Sequence, residues 1–386
     1  MNKKTNSYQI RRFLCLLVLG VLAAAYWDVG SASAADLKIG VVQHFTGSAA
    51  EYGLQIADGA KLASEIINRS GGVNGGKIIL VEEDEGPPAN AVAVIRKLAA
   101  TDIVAVIGPQ RTSSGIACAP VVPGLKLPLF SMSVTKWEAG PYIFKPAMVE
   151  SDAYPVVLQA LMKDCGVKTG AVIVAHEDDY AQLLKKEWVA TAEKLGIKII
   201  RQEVYTTGDT DFRVQLTNIK AANPDVLFMS GLVGETAPMM EQARELKITS
   251  VIQVATADPT MFKLSGGASD GAVSASPWSP KSSRPQFVEL TKRWRETRTK
   301  DISIWSSYGY DILHVIAEAA KKIRTNTDRE ALRKQVGSNQ VFEAALGKYR
   351  FNGSGPNLEM NFTVFVLRGS TTEPYNKSLI PGCRAK

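Results

Sequence analysis

Two hydroxyl-rich segments carry the residues best suited to holding a small anion: Gly108-Pro109-Gln110-Arg111-Thr112-Ser113-Ser114 and Ser131-Met132-Ser133-Val134-Thr135. The first leaves an apolar, β-branched run and enters a helical pattern. Thr112, Ser113 and Ser114 therefore sit where unpaired backbone N–H groups and the positive end of a helix dipole are offered. Their hydroxyls could hold a carboxylate, or could cap the helix as Ser and Thr commonly do. The second segment leaves the next strand on the same edge and would add Ser133 and Thr135 to the same anion. Two such loops side by side favour a binding site over capping alone. Arg111 either aims its guanidinium fork at a carboxylate or faces solvent.

The constellations that enzymes use are missing from the sequence. There is no phosphate loop, and His44, His176 and His314 show no metal-ligand spacing. His176-Glu177-Asp178-Asp179 looks reactive, yet it reads as a solvated strand-end loop with no second ligand-rich segment to complete a metal site. No catalysis, cofactor or metal is expected.

The elements that must position these loops alternate in a βαβ rhythm, the pattern of a parallel sheet. Strands are expected at Leu37 to Gln43, Lys77 to Glu82, Ile103 to Ile107 and Leu129 to Ser131, with helices at Gln55 to Arg69 and Ser114 to Val121. A second series begins near residue 150. Its helices are Ala153 to Cys165, Ala181 to Leu195, Phe212 to Ala221 and Thr236 to Leu246; its strands are Ala171 to Ala175, Lys198 to Val204, Val226 to Ser230 and Val251 to Val254. Helices at Gln286 to Arg298 and Tyr308 to Arg324 follow, and a strand pair, Lys348 to Phe351 with Asn361 to Leu367, closes the chain. Gly71 to Gly76 reads as a turn that needs positive φ values. In open α/β sheets a ligand lies beyond the carboxyl ends of the strands, where both hydroxyl loops fall.

Residues 1–35 read as an export address rather than as fold. Lys3, Lys4, Arg11 and Arg12 precede the apolar run Phe13 to Ala25, and Ser31 to Ala35 supply small residues for cleavage. The run is shorter than the roughly 20 residues of a spanning helix. Cys15 lacks the setting of a lipidated cysteine, so a periplasmic protein is expected. The remaining 350 or so residues exceed one core and imply two lobes. The formal charge of +7 falls to about +4 once the four leading cations and Asp28 are removed, which is no nucleic-acid footprint. Cys118, Cys165 and Cys383 allow at most one disulfide, and which pair forms is open.

On Phe45-Thr46-Gly47 through Tyr52-Gly53, Gly71-Gly72-Val73-Asn74-Gly75, Val106-Ile107-Gly108, Tyr180 after a strand, and Asp270-Gly271, the chain resembles the Leu/Ile/Val-binding protein family. These are the type I periplasmic binding proteins of branched-chain amino acid ABC transporters, and the likeness spans the whole chain after the address. The resemblance implies an α/β fold of two doubly wound parallel-sheet lobes joined by three crossing segments, a ligand buried between the lobes, and ABC transporter permease subunits as partners. The lobes would be residues 36–146 with 278–358 and 147–277 with 359–386. Phe144 to Glu150, Ser274 to Pro280 and Gly355 to Phe362 would act as the hinge of a monomer.

Carried over by position, Thr112, Ser113, Ser133 and Thr135 match the loops that hold the ligand carboxylate, while Tyr52, Tyr180 and Tyr308 match aromatic positions around the ligand. Trp305 lies one helical turn before Tyr308 and could line the same wall. Two departures bear on specificity. Leu232 stands where amino-acid binders carry a tyrosine, and Arg111 stands where they commonly carry a small residue or a half-cystine. Asp258 either pairs a ligand ammonium or starts the Asp258-Pro259 turn. The expected ligand is a small carboxylate, an amino acid or an aromatic or other organic acid. A sensory module feeding a receptor or kinase shares the fold, and neighbouring genes would separate the two uses.

Overall fold

The computed structural model describes residues 34–47, 49–255, 259–279, 281–369 and 371–383. The export address, apart from its last two residues, lies outside the described residues, and so do Asp258 and Pro280. The first series runs β1 (Leu37–Gln43), α1 (Ala50–Arg69), β2 (Ile78–Asp84), α2 (Pro88–Ala99), β3 (Ala105–Ile107), α3 (Thr112–Cys118), α4 (Val122–Leu125), β4 (Leu129–Phe130) and β5 (Ile143–Lys145). β1 and β3 are buried along nearly their whole length, as central strands covered by helices on both faces must be.

A 3-10 turn, Glu150–Ala153, then leads to the second series. This runs α5 (Tyr154–Cys165), β6 (Thr169–Ala175), α6 (Asp179–Lys194), β7 (Lys198–Tyr205), α7 (Arg213–Ala222), β8 (Val226–Ser230), α8 (Val233–Glu245), β9 (Val251–Val254), α9 (Pro259–Leu264) and β10 (Val273–Ser276). The return adds α10 (Pro285–Thr297), α11 (Ile304–Ile323), α12 (Arg329–Val336), a hairpin of β11 (Ser338–Glu343) and β12 (Lys348–Asn352), and β13 (Gly355–Pro356). β14 (Thr363–Arg368) and β15 (Thr371–Pro374) follow, and then a 3-10 turn, Lys377–Leu379.

Two sheets result. The first has the order β13-β5-β4-β3-β1-β2 and is parallel throughout; the second has the order β15-β14-β10-β9-β8-β6-β7. In the second sheet β10, β9, β8, β6 and β7 are parallel, and β14 and β15 add an antiparallel edge. The chain passes between sheets three times, after β5, after β10 and after β13. Each sheet thus takes strands from two separate stretches of sequence.

One helix crossing sets the geometry of the site. α1 and α11 approach so closely that a Cβ at Gly59 would lie 1.8 Å from the Ser306 carbonyl oxygen, and one at Gly309 would lie 1.9 Å from that of Ile56. Glycine at both points lets the backbones touch. The contact brings Tyr52 of α1 within 5.3 Å, centroid to centroid, of Trp305 on α11. Behind it, Asp311 of α11 is fully buried and accepts the N–H groups of Ala345 and Leu346 and the Tyr349 hydroxyl, which anchors the β11–β12 hairpin.

Several elements differ from the sequence reading. The strands at Lys348 and Asn361 do not pair with each other: β12 pairs with β11, whereas β14 joins the second sheet between β10 and β15. The Gly353-Ser354-Gly355 turn and the crossing after β13 send them to different sheets. α2 has no counterpart among the expected elements, although Pro88 at its first helical position suits a helix start. α8 and α11 each begin three or four residues before the apolar periodicity becomes visible, since their first turns are set by capping: Glu235 takes the Leu232 N–H, and Ser303 takes the Ser306 N–H. Cys165 and Cys383 form the disulfide, 218 residues apart, and Cys118 is buried and free.

Candidate ligand-binding site

A cavity of about 70 Å³, several times what one water needs, lies where the carboxyl ends of both sheets face each other. The first sheet contributes Ala49 after β1, Gln110, Arg111 and Thr112 after β3, and Met132, Ser133 and Val134 after β4. The second contributes Asp178 and Tyr180 after β6, Gly231, Leu232 and Thr236 after β8, and Ala255 after β9. Tyr52 and Trp305 close one wall.

Its polar floor is a triangle of hydroxyls. Thr112 Oγ1 lies 2.9 Å from Ser133 Oγ and 3.0 Å from Thr135 Oγ1, and the last two are 3.1 Å apart. All three residues are buried. The Trp137 indole N–H donates to Ser133 Oγ at 2.8 Å, and Lys145 Nζ donates to the Thr135 carbonyl. Three hydroxyls with their own hydrogens and an outside donor can turn protons toward an anion in the cavity.

The loop bearing Thr112 is held from behind by Glu85. This fully buried carboxylate accepts the Gln110 N–H at 2.7 Å and the Arg111 N–H at 3.1 Å. Burial pushes its carboxyl up to about 7, and the N–H bonds only partly offset that. His44 Nε2 lies 3.7 Å from Glu85, and desolvation, with the nearby Arg111 charge, lowers the imidazole below its ordinary value.

Arg111 and Tyr52 each reach across the cavity to the second sheet's elements. Arg111 donates to Asp178 at 2.5 Å, and Tyr52 Oη accepts the Val233 N–H at 3.2 Å. Tyr180 donates to Glu150 at 3.1 Å and so ties α6 to the first crossing segment.

Of the residues singled out from sequence, Tyr52, Arg111, Thr112, Ser133, Tyr180 and Leu232 line the cavity, and Trp305 joins them. Thr135 lies one layer behind, bonded to the two lining hydroxyls. Ser113 is half-buried and does not line the cavity, because the first turn of α3 points its side chain away from Thr112's. Tyr308 lines a smaller neighbouring cavity of about 20 Å³ beside Met148 and Glu150, where its hydroxyl accepts the Met148 N–H. α11 turns it toward the crossing segment. Arg111 lines the cavity with its side chain partly exposed, and one guanidinium nitrogen, Nη2, is paired with Asp178. Asp258 lies outside the described residues. Sequence reasoning missed Glu85, Gln110, Trp137, Lys145 and the pairing role of Asp178. Glu85 closes the acidic run Glu82 to Glu85, which reads as solvated, and only its place at the end of an expected strand could have drawn attention to it.

Comparison with known proteins places this architecture. Residues 36–372 match the periplasmic binding protein family. The chain is 32% identical to an amino acid binding protein of Pseudomonas aeruginosa over 60% of its own length and 64% of that relative, so this match spans less than two thirds of the relative. It is 25% identical to Leu/Ile/Val-binding protein homolog 1 of Brucella melitensis over 93% of its length and 98% of the relative. Among solved structures, it superposes on a leucine-binding protein from Thermotoga maritima with a TM-score of 0.79 at 22% identity, covering 88% of this chain and 98% of that one. A solute-binding protein from R. palustris in complex with benzoate gives 0.77 at 15% identity, covering 88% and 95%. Another, from Rhodopseudomonas palustris in complex with 3,4-dihydroxybenzoic acid, gives 0.75 at 20% identity, covering 88% and 96%. The two facing sheets are the type I periplasmic binding fold, and the chain belongs to the periplasmic binding protein family, whose members bind solutes and are not enzymes.

Proposed function

We propose that this chain is the extracytoplasmic solute-binding component of an ABC importer of the branched-chain amino acid family, a monomer that encloses a small carboxylate and delivers it to permease subunits. Residues 1–35 direct its export to the periplasm. The lobes are 36–146 with 278–358, and 147–277 with 359–386.

The observation that carries this reading is the buried hydroxyl triangle of Thr112, Ser133 and Thr135 at the floor of a cavity between two sheets. Thr112 and Ser133 donate to the carboxylate, and Thr135 orients them. The second lobe closes over the ligand through Arg111–Asp178 and Tyr52–Val233, and the crossing segments 144–150, 274–280 and 355–362 flex.

An acid without an ammonium group, such as an aromatic carboxylate, suits the cavity better than an α-amino acid. Among the described residues, the carboxylate that lines it, Asp178, is committed to Arg111. Leu232 and Tyr52 offer apolar surface for a ring. Relatives of the same fold were solved with benzoate and with 3,4-dihydroxybenzoic acid.

A thermal-shift panel of benzoate, 3,4-dihydroxybenzoate, leucine and isoleucine tests the reading, since a ligand that binds only the folded state raises apparent stability. The expected result is a concentration-dependent rise with at least one carboxylate, the aromatic acids leading. No shift with any of them would contradict it.

A further inference from the structure

Lys145 ends β5 with its side chain almost wholly enclosed, the residue being 2% exposed. A buried ammonium is costly unless a counter-charge sits near it. Among the described residues no carboxylate forms an ion pair with it. The charge of Asp152 favours the ammonium, but that carboxylate is paired with Lys136 at 2.9 Å, and Lys136 itself opposes the charge. Its contacts are the Thr135 carbonyl, to which it donates, and the face of Trp137, whose ring centroid is 4.9 Å away.

Both contacts lead to the cavity floor. Thr135 belongs to the hydroxyl triangle, and the Trp137 indole N–H donates to Ser133 Oγ. A cation on the indole face draws electron density from the ring and strengthens that N–H as a donor. Arg111 is already paired with Asp178 at 2.5 Å.

We infer that Lys145 is a specificity-determining residue whose missing counter-ion is the ligand carboxylate, which it favours through the Thr135 peptide and the Trp137 indole without touching it. This rests on the carboxylate reading given above and adds the residue that selects charge over a neutral group of the same shape. Burial lowers the ammonium to about 8, with Asp152 raising and Lys136 lowering it. Part of the empty protein is therefore neutral at this position just above pH 8. Binding an anion draws the proton back, so affinity falls as pH rises past 8 and is level below about 7.

The test is titration calorimetry of the whole protein with benzoate, or leucine if benzoate does not bind, at pH 7 and 9, in buffers of different ionisation enthalpy. Wild type is expected to take up protons on binding near pH 8.5 and to lose roughly tenfold in affinity from pH 7 to 9. Lys145→Met is expected to bind more than tenfold more weakly at pH 7, to lose the pH dependence, and to leave binding of the neutral analogue benzamide unchanged. Undiminished carboxylate binding by Lys145→Met overturns this inference alone. If that variant does not fold, wild type decides: no proton uptake between pH 8 and 9 overturns it. No carboxylate binding by wild type removes the site reading and this inference together.

Discussion

Arg111 and Asp178 meet across the cavity at 2.5 Å, the one entering α3 from the first sheet and the other capping α6 of the second. Asp178 uses its second carboxylate oxygen to accept the Ala181 N–H, so the pairing oxygen is fixed in place by helix geometry. The pair is partly exposed, and a coupling of about 1 kcal/mol is appropriate. Arg111→Ala and Asp178→Ala should each weaken ligand binding by about fivefold, and the double variant little further. Calorimetry on the four proteins measures this. Additive losses would mean that the two residues act separately.

Thr112→Val keeps the size of the side chain and removes one hydroxyl from the triangle. Carboxylate affinity should fall at least tenfold, because Ser133 and Thr135 each lose a partner in a buried site. Thermal unfolding should move by no more than a few degrees. A large loss of stability with little loss of affinity would make the triangle a packing feature.

Glu85 makes stability depend on pH. Its folded-state carboxyl is raised to about 7 by burial, above an ordinary value of 4.5. Between these pH values the folded chain holds a proton that the unfolded chain has lost. The contribution is complete below about pH 4.5 and is lost as pH rises through 7. Its size is on the order of 3 kcal/mol. Glu85→Gln should flatten the fall in Tm between pH 5 and 7.5 relative to wild type. It should also weaken ligand binding, since an amide offers one acceptor to the N–H groups of Gln110 and Arg111. Parallel Tm profiles for the two proteins would count against this role.

The Cys165–Cys383 bond closes a loop of 218 residues. Loop-closure entropy gives it up to about 5 kcal/mol. Reduction, or Cys383→Ser, should lower Tm by several degrees without changing ligand affinity, because the bond lies at the end of α5 rather than at the cavity. Cys118 is fully buried and its thiol is pushed up to about 12 by desolvation, so it should resist alkylation until the protein unfolds. Rapid labelling of Cys118 in the native protein would contradict its placement.

Much of the fold was legible because periodicity is local. β1, β8 and β9 fall where the sequence reading puts them, since each is a short apolar run between turn residues. β11, β13 and β15 were not legible, because strand pairing between distant segments leaves no local trace. The site divides in the same way. Thr112 and Ser133 could be named because they follow strand ends on one edge, and Tyr52 and Tyr180, in the first turns of α1 and α6, through the family resemblance. Glu85 and Lys145 could not: a Glu in an acidic run, or a single Lys, looks solvated until folding removes its water. Arg111 was noticed, but its partner Asp178 belongs to the other lobe, and the contact between them exists only once the two sheets face each other.

The most direct test is a comparison of benzoate with benzyl alcohol, and of leucine with leucinol, against wild type and Thr112→Val by titration calorimetry. At least one of the two acids is expected to bind wild type, its alcohol to bind at least tenfold more weakly, and Thr112→Val to narrow this difference. Equal affinity for acid and alcohol, or a difference untouched by Thr112→Val, would contradict a carboxylate held on the hydroxyl triangle.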